Sequence, residues 1–203
     1  VEISFRNMLS QLNDLGQVFP NFLKPDDNTK VLSILPMNHL FELTVGFCTF
    51  LYWGLSVYYT QSLKLKDILM IMREKHVQFM IVVPAFLKLL KAGIENEINS
   101  NPVTKRIFPI IFNIAKFIPS FRIKKMLFKK IHDNFGGEFK GCISGGAPID
   151  KYVANFFETI GIKVFAGYGL SETSPVVSVN YDKRRDYTSV GKPLSSFECR
   201  IDP

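Results

Sequence analysis

Short apolar runs that alternate with helix-like segments constrain the fold of this 203-residue chain more than any other feature. The runs at 31–35 and 79–83 are too short for helices and almost wholly apolar, as expected of parallel strands covered on both faces. Further strands are predicted near 55–60, 138–143, 163–166, 176–179 and 197–201. Helices are predicted near 4–18, 40–53, 64–75, 84–99 and 151–160. This order predicts an α/β fold with a mostly parallel sheet flanked by helices.

The first predicted helix carries apolar residues at helical spacing, and Ser4 is available as its N-cap. Pro20 and the proline-and-acid cluster at 25–28 predict a loop after it. Near the other end of the chain, Asp150 is expected to cap a helix that Gly161 ends. The side chains of the first helix that are expected to face the core are Phe5, Met8, Leu9, Leu12 and Leu15.

The stretch from 43 to 63 carries no charged residue and is long enough to cross a bilayer. Gly54 interrupts it, and the apolar residues that follow alternate in the manner of a strand. We therefore predict a buried helix near 40–53, a turn, and a core strand near 55–60. A membrane span is the alternative.

The net charge of +7 is concentrated in one part of the chain. Between residues 98 and 132 there is no acid, and the eight bases there are Lys105, Arg106, Lys116, Arg122, Lys124, Lys125, Lys129 and Lys130. We call 101–135 the basic segment and expect it to form two helices separated near 119–120. Because it also holds many isoleucines and phenylalanines, it can lie on an anionic membrane surface. The alternative is an inserted pair of helices that packs by its apolar residues and leaves the lysines in solvent. Nucleic-acid binding is not predicted, because no recognised motif accompanies the charge.

The cysteines indicate a reducing compartment. Cys48, Cys142 and Cys199 are widely spaced, odd in number and free of any Cys-x-x-Cys pair. The N-terminal segment 1–19 mixes polar and apolar residues and lacks a secretory signal pattern. We predict a cytoplasmic protein, peripheral on the inner membrane surface if the basic segment binds lipid.

Two glycine-containing stretches, 144–148 and 167–173, each follow a predicted strand. Ligands of α/β sheets bind in the crevice outside the carboxyl ends of the strands, and glycines let the backbone approach a ligand closely. Tyr168 offers a face for stacking, Ser171 a hydroxyl for a phosphate oxygen, and Glu172 a hard oxygen ligand for Mg²⁺. Taken singly, each stretch is better explained as an ordinary glycine-containing turn.

Taken together, the two stretches resemble the acyl-adenylate-forming (AMP-binding) enzymes and, within them, the long-chain fatty-acid–CoA ligases. Residues 144–148 are similar to the family's Gly-Gly-Ala-Pro turn, and 167–173 match its Tyr-Gly-x-Thr-Glu signature except that Ser171 replaces threonine. The loop 35–42 resembles the family's substrate-gate region. The sequence His-Leu-Phe-Glu-Leu-Thr at 39–44 and the basic segment resemble the long-chain subgroup.

The resemblance implies roles for individual residues. Tyr168 would stack on adenine, Ser171 would contact the α-phosphate, and Glu172 would bind Mg²⁺. His39 would lie near the acyl carboxylate and the phosphates, although this histidine taken alone is better explained by a capping or packing role. The resemblance thus assigns catalysis to His39, Ser171 and Glu172. The remaining residues that would border the nucleotide are Gly145, Gly146, Ala147, Pro148, Gly167, Gly169 and Leu170.

The implied reaction has two steps: a fatty acid and Mg-ATP give acyl-AMP and pyrophosphate, and coenzyme A then displaces AMP. Open alternatives are another carboxylate, an acyl-carrier protein as acceptor or, in a different class, a membrane-surface or protein-interaction module using residues 105–130. The sequence lacks the family's phosphate loop, ribose-binding aspartate and small C-terminal domain with its lysine. We therefore predict that 1–203 form part of the large N-terminal domain of a longer enzyme, with 101–135 inserted in it, and that this part alone is inactive.

Overall fold

A computed structural model describes residues 1–22, 28–60, 62–181 and 185–201. The strands in these ranges are β1 (Lys30–Ser33), β2 (Ser56–Tyr59), β3 (Phe79–Val82), β4 (Gly141–Ser144), β5 (Lys163–Tyr168), β6 (Ser178–Asn180) and β7 (Lys192–Pro193). They form a sheet in the order β2-β1-β3-β4-β5-β6-β7. The strands from β2 to β5 are parallel to their neighbours, and β6 and β7 add antiparallel pairs at one side. The predicted α/β fold with a mostly parallel sheet is confirmed.

The helices cover both faces of this sheet. They are α1 (Phe5–Phe22), a π-helical turn (Glu42–Cys48) that continues into α2 (Thr49–Tyr52), α3 (Leu65–Lys75), α4 (Pro84–Ser100), α5 (Pro102–Ala115), α6 (Phe121–Leu127), α7 (Lys129–Asn134), α8 (Lys151–Thr159) and a 3₁₀ turn (Ser171–Thr173). Within the described ranges, no helix combines the length and apolar character that a bilayer crossing needs.

The position of β3 between two hydrophobic clusters explains why its sequence is apolar throughout. Met80 and Val82 belong to a core cluster with α3, α4 and α8, whereas Phe79 and Ile81 belong to a second cluster with α1 and α2. Because successive side chains of a strand point to opposite faces, a strand covered on both sides must be apolar at every position.

Two strand predictions need correction. The strand predicted for the core near 55–60 is β2, which pairs with β1 alone at the sheet edge and is partly exposed. The strand predicted at 197–201 is absent from the described part of the chain, and β7 at 192–193 occurs instead. Lys192 pairs with Val179 directly after a turn at Gly191, where φ is +89°. Pro193 has no N–H with which to continue this ladder.

Helix α1 also differs from its prediction. Phe5, predicted to face the core, is 86% exposed, whereas the polar side chains of Gln11 and Asp14 are buried. Both side chains have hydrogen-bond partners that are distant in the sequence. Gln11 forms hydrogen bonds with the backbone of Val176, and Asp14 accepts hydrogen bonds from the hydroxyls of Ser195 and Ser196. Polar groups are buried readily when such partners satisfy them.

The beginning of α1 is as predicted, and its end is not. Ser4 Oγ accepts a hydrogen bond from the N–H of Asn7 at 3.2 Å, as an N-cap does. The helix was predicted to end near residue 18, but it continues through Pro20 to residue 22, into the predicted loop. Of the predicted loop at 25–28, residues 25–27 lie outside the described residues.

The basic segment forms three helices, α5 to α7, where two were predicted. The predicted break is found: Ser120 precedes α6, and its side chain accepts a hydrogen bond from the N–H of Ile123. One lysine departs from the expectation of solvated bases, because Lys124 is 8% exposed and its Nζ donates to the carbonyl of Glu158 at 3.0 Å. Burial lowers the pKa of Lys124.

The caps of α8 are as predicted. Asp150 accepts a hydrogen bond from the N–H of Tyr152 at 2.8 Å, and Gly161 follows the helix with φ of +89°. A residue with a β-carbon is strained in this conformation, so glycine is favoured there. The chain then enters β5 at residue 163.

Buried His132 predicts a pH dependence of stability. Its Nε2–H donates to the carbonyl of Ile160 at 2.8 Å, and Nδ1 has no hydrogen-bond partner within the described residues. Burial holds the pKa of His132 below the ordinary 6.5. The hydrogen bond to Ile160 and the charge of Asp133 oppose this effect, and the charge of Lys125 adds to it. The unfolded chain therefore binds a proton at pH values where the folded chain does not. Stability should be fully present above about pH 6.5 and fall by up to about 1.4 kcal/mol per pH unit below it.

Urea unfolding at pH 7.5, 6.5 and 5.5 measures this dependence. His132→Gln retains an N–H donor but does not titrate, so its stability should fall less with acid than that of the natural chain. His76→Asn is the matched control, since His76 is exposed and asparagine tolerates its positive φ of 53°. Equal acid sensitivity of the natural chain and His132→Gln would contradict the prediction.

Candidate functional site

A cavity of about 130 Å³ lies beyond the carboxyl ends of β4 and β5 and the loop that follows β1. The register of the parallel pair explains its position: Ser144 of β4 lies opposite Ala166 of β5, and this is the last pair of their ladder. The chain leaves the sheet at Gly145, whereas Gly167 and Tyr168 continue β5 by pairing with β6. This is the crevice in which ligands of open α/β sheets bind.

The cavity brings together residues that are far apart in the sequence. The predicted site residues that line it are His39, Gly145, Gly146, Gly167, Tyr168, Gly169, Leu170 and Ser171. Three other predicted site residues, Ala147, Pro148 and Glu172, are exposed and do not line the cavity. Ala147 and Pro148 directly follow the lining residue Gly146, and Glu172 follows the lining residue Ser171. The two glycine-containing stretches and the loop carrying His39 therefore share one location.

Four lining residues were not predicted as site residues: Leu40, Phe41, Pro175 and Val176. The first two fall within the predicted gate loop, so their position was available from the sequence. Pro175 and Val176 carry no chemical signal, and their place depends on how the chain turns after the 3₁₀ turn.

A threonine fixes the local geometry of the motif. Thr173 Oγ1 accepts a hydrogen bond from the N–H of Leu170 at 3.0 Å and lies 2.8 Å from its carbonyl oxygen. The side chain of the last residue of the 3₁₀ turn thus bonds the backbone of Leu170, the residue before the turn. Ser171 and Glu172, within the turn, remain exposed. Their hydroxyl and carboxylate are free to meet a ligand.

Gly169 is required by a close backbone approach. A β-carbon at this position would lie 1.9 Å from the carbonyl oxygen of Pro175, well inside van der Waals contact. The N–H of Val177 donates to the carbonyl of Tyr168 at 2.8 Å and holds the two segments together. Glycine here has a packing reason that is independent of any ligand.

Helix α1 supports the loop that carries Val176. Gln11 Nε2 donates to the carbonyl of Val176 at 3.0 Å, and Gln11 Oε1 accepts from its N–H at 2.9 Å. This paired bond satisfies both backbone groups of a residue that lines the cavity. Sequence reasoning missed this contact, because 165 residues separate the partners.

A buried acid underlies the gate loop. Glu42 is fully buried, and its carboxylate accepts hydrogen bonds from Ser33 Oγ and, at 2.9 Å, from the Tyr59 hydroxyl. Burial raises its pKa, and the two hydrogen bonds oppose this effect. A β-carbon at Gly46 would lie 2.2 Å from Glu42 Oε1, so glycine makes room for the acid inside the π-helical turn. The turn that carries Phe41 and His39 is thus anchored to β1 and β2.

The donor set at the mouth of the cavity fits a magnesium nucleotide. Tyr168 exposes nearly half of its surface, and aromatic faces of this kind stack on flat rings. The carboxylate of Glu172 makes no hydrogen bond or ion pair within the described residues, and such a hard oxygen is a ligand that Mg²⁺ prefers. Magnesium is commonly held by one or two carboxylates together with substrate phosphates. Gly146 borders open space, since a β-carbon there would meet only Val83, at 3.9 Å, whereas the Phe41 ring fills the space beside Gly145.

Gly145 predicts a measurable effect on the cavity. A β-carbon there would lie 2.7 Å from Cζ of Phe41, so Gly145→Ala must displace the ring that forms one wall. Overpacking of this kind costs about 1–3 kcal/mol. We expect a lower midpoint in urea unfolding and weaker ligand binding. Gly16→Ala is the matched control, because nothing lies within 4 Å of its β-carbon position in α1. Equal midpoints for Gly145→Ala and Gly16→Ala would refute the packing argument.

A mostly parallel sheet with glycine-rich turns meeting at its carboxyl edge defines a ligand-binding α/β protein. The model of the family described as AMP-binding enzyme matches residues 1–203, so the chain belongs to this family. The membership predicted from the motifs is confirmed.

Individual relatives agree with the subgroup that the motifs suggested. The chain is 28% identical over 215 residues to long-chain-fatty-acid–CoA ligase 2 of Schizosaccharomyces pombe, covering 99% of the chain and 31% of that protein. It is also 28% identical over 245 residues to the chloroplastic long-chain-fatty-acid–[acyl-carrier-protein] ligase AEE15 of Arabidopsis thaliana, covering 100% of the chain and 32% of that protein. The chain thus spans about a third of the length of these relatives.

Solved structures agree on the fold. The o-succinylbenzoate coenzyme A synthetase MenE of Bacillus subtilis, in complex with ATP and magnesium ion, superposes with a TM-score of 0.65. It is 19% identical, and the match covers 100% of this chain and 34% of that one. At this identity the comparison supports the fold alone.

Proposed function

We propose that the protein activates a fatty acid, with long chains as the first candidates, by using Mg-ATP to form acyl-AMP and then the coenzyme A thioester. The observation that carries the proposal is the meeting of His39, the 145–146 turn and the 167–171 stretch at one cavity. Membership of the AMP-binding enzyme family supports it.

Each residue would contribute binding or charge compensation rather than covalent chemistry. Tyr168 would stack on adenine, and the Ser171 hydroxyl would donate to an α-phosphate oxygen. The backbone around Gly145, Gly146, Ala147 and Pro148 would border the adenine and the acyl carbonyl. Glu172 would hold Mg²⁺, which supplies positive charge to offset the phosphates.

The chemistry makes such an arrangement useful. A carboxylate is a poor acyl donor because its leaving group would be oxide, whereas AMP is a far better leaving group. The difficulty is to bring two anions together, a carboxylate and a triphosphate. Positioning and preorganised compensation of charge are the effects that proteins use for this purpose. His39, at the entrance loop, would position the acyl carboxylate.

The acyl group would be selected near Phe41, whose ring lies against Gly145 at one wall of the cavity. The names of relatives and structural neighbours include an acyl-carrier-protein ligase and a synthetase for o-succinylbenzoate. Both an alternative acceptor and an alternative carboxylate therefore belong in the test.

We further propose that 1–203 act as part of a large N-terminal domain, with 101–135 as a helical insertion. The coverage of about a third of each relative supports this arrangement. The chain alone should then make acyl-adenylate far more slowly than the full-length protein.

Carboxylate-dependent ATP–pyrophosphate exchange by the full-length protein is the decisive experiment. The panel contains saturated fatty acids from short to long, an aromatic acid and o-succinylbenzoate, each with and without Mg²⁺. We expect exchange that needs both a fatty acid and Mg²⁺. Product analysis with coenzyme A or acyl-carrier protein then identifies the acceptor. Absence of exchange with every carboxylate would refute the proposal, and exchange with a different acid alone would replace its substrate.

A further inference from the structure

Helix α5 exposes a stripe of large apolar side chains. Phe117, directly after the helix, is 88% exposed. The exposed apolar residues in and directly after α5 are Val103, Ile107, Ile110, Ile114 and Phe117. Their spacing of three and four residues places them along one side of a helix. This stripe runs the full length of α5, which at 14 residues is about 21 Å long.

The stripe is distinct from the face by which α5 packs on the protein. Phe108 and Phe112 point inward, where their ring centroids lie 6.4 and 5.6 Å from that of Phe156 on α8. Ala115 is fully buried on the same side. Helix α5 is therefore apolar on two sides, of which one builds the core and the other faces solvent. Packing of the chain itself does not explain the second side.

Helix α6 extends this apolar surface. Met126 and Leu127 are exposed on α6, and Leu127 lines the same cavity of about 280 Å³ as Val103 and Ile107 of α5. The two helices thus present one continuous apolar area, with an opening between them. We call the stripe of α5 together with Met126 and Leu127 the apolar face.

Exposed arginines lie beside the apolar face. Arg106 and Arg122 are exposed, and neither forms an ion pair within the described residues. Arg122 lies four residues before Met126, on the same side of α6. On a helical projection Arg106 lies beside Ile110 and Ile114, at the margin of the stripe. No acid occurs between residues 98 and 132, so the segment that carries these cations supplies no carboxylate of its own.

We propose that the apolar face docks on an anionic lipid bilayer, with α5 lying parallel to the membrane surface. Isoleucine and phenylalanine side chains would enter the boundary between headgroups and acyl chains, and the flanking bases would pair with lipid phosphates and carboxylates. Charge complementarity favours this occupant over a second copy of the chain. In a two-fold interface the same unpaired cations would face each other.

This docking is independent of adenylation, because none of its residues lines the candidate site. Vesicle binding and ATP–pyrophosphate exchange therefore succeed or fail separately. Variants that remove apolar side chains or reverse charges on the apolar face should leave ATP–pyrophosphate exchange with a water-soluble short-chain acid unchanged.

Co-sedimentation of the full-length protein with vesicles tests the proposal. One set of vesicles is pure phosphatidylcholine, and the other contains about one third phosphatidylglycerol. We expect binding to the anionic vesicles that weakens with added salt, as surface electrostatics requires. Ile110→Ser/Ile114→Ser removes apolar side chains, and Arg106→Glu/Arg122→Glu reverses charge. Each double variant should reduce the binding constant at least about tenfold.

Matched controls distinguish docking through the apolar face from nonspecific adsorption to vesicles. Phe5→Ser/Leu9→Ser removes two exposed apolar residues at the same spacing from α1, which packs on the opposite face of the sheet. Lys64→Glu/Lys66→Glu reverses two exposed lysines at the start of α3. Both controls should bind vesicles like the natural protein, and circular dichroism should show every variant folded.

Three results of the vesicle experiment would overturn the proposal, and a fourth would come from size-exclusion chromatography. The first is no vesicle binding by the natural protein, and the second is equal binding to neutral and anionic vesicles. The third is binding that the α5 variants retain. If size-exclusion chromatography instead shows an oligomer that Ile110→Ser/Ile114→Ser dissociates, the face is a protein interface and the lipid proposal is wrong.

Discussion

Glu172→Ala is expected to lower fatty-acid-dependent ATP–pyrophosphate exchange about a hundredfold or more, the size of effect seen when one preorganised charge-stabilising group is removed. The fold should be unchanged, because Glu172 is exposed and its carboxylate has no partner within the described residues. The physical reason is loss of the hard oxygen proposed to hold Mg²⁺ beside the phosphates. The apparent affinity for Mg²⁺ should therefore fall together with the rate.

Two variants serve as controls for this prediction. Glu172→Asp keeps a carboxylate on a shorter side chain, so it should recover part of the exchange and respond to higher Mg²⁺. Glu74→Ala removes an exposed acid from the end of α3 and should behave like the natural protein. Exchange by Glu172→Ala within a factor of two or three of normal would rule out a metal role for this residue.

The parts of the fold that the sequence predicted are those set by local chemistry. Apolar runs at 31–35 and 79–83 indicate strands covered on both faces, and both are strands of the sheet. Asp150 and Gly161 bound α8 because their effects on a helix end depend on neighbouring residues alone. The glycine-rich stretches meet because parallel strands end at the same edge.

The parts that were missed depend on distant partners. The buried side chains of Gln11 and Asp14 are explained by contacts to residues more than 160 positions away. Glu42 is buried because Ser33 and Tyr59, on two neighbouring strands, satisfy its carboxylate. A hydropathy pattern assigns such residues to the surface, since it contains no information on which polar groups meet.

The same limit applies to Glu158 of α8, which reaches the strand that carries Tyr168. Arg185 donates from Nε and Nη2 to its carboxylate oxygens at 2.8 and 2.7 Å, and the Val164 N–H donates at 2.9 Å. The Tyr187 hydroxyl lies 2.8 Å from both Glu158 Oε1 and the Val164 carbonyl. Strand β6 pairs with β5 from Ala166 onward. Side chains thus satisfy the backbone groups of Val164 beyond the end of that pairing.

Glu158→Ala is therefore expected to lower the free energy of unfolding by about 3–5 kcal/mol, the usual cost of breaking a buried ion pair by removing its acid. The side chains of Arg185 and Glu158 are 5% and 17% exposed, so water replaces the lost carboxylate poorly. The Val164 N–H also loses its acceptor. Urea unfolding followed by far-ultraviolet circular dichroism measures the change.

A double substitution distinguishes the ion pair from simple loss of packing. Glu158→Leu/Arg185→Met replaces both charges with apolar groups and should recover much of the loss, because well-packed apolar pairs often match a buried ion pair in stability. Recovery should stay incomplete, since the Val164 N–H remains without its acceptor. Asn155→Ala, at an exposed position of α8, should change stability by less than about 0.5 kcal/mol. A Glu158→Ala loss as small as that of Asn155→Ala would show that the pair does not stabilise β5.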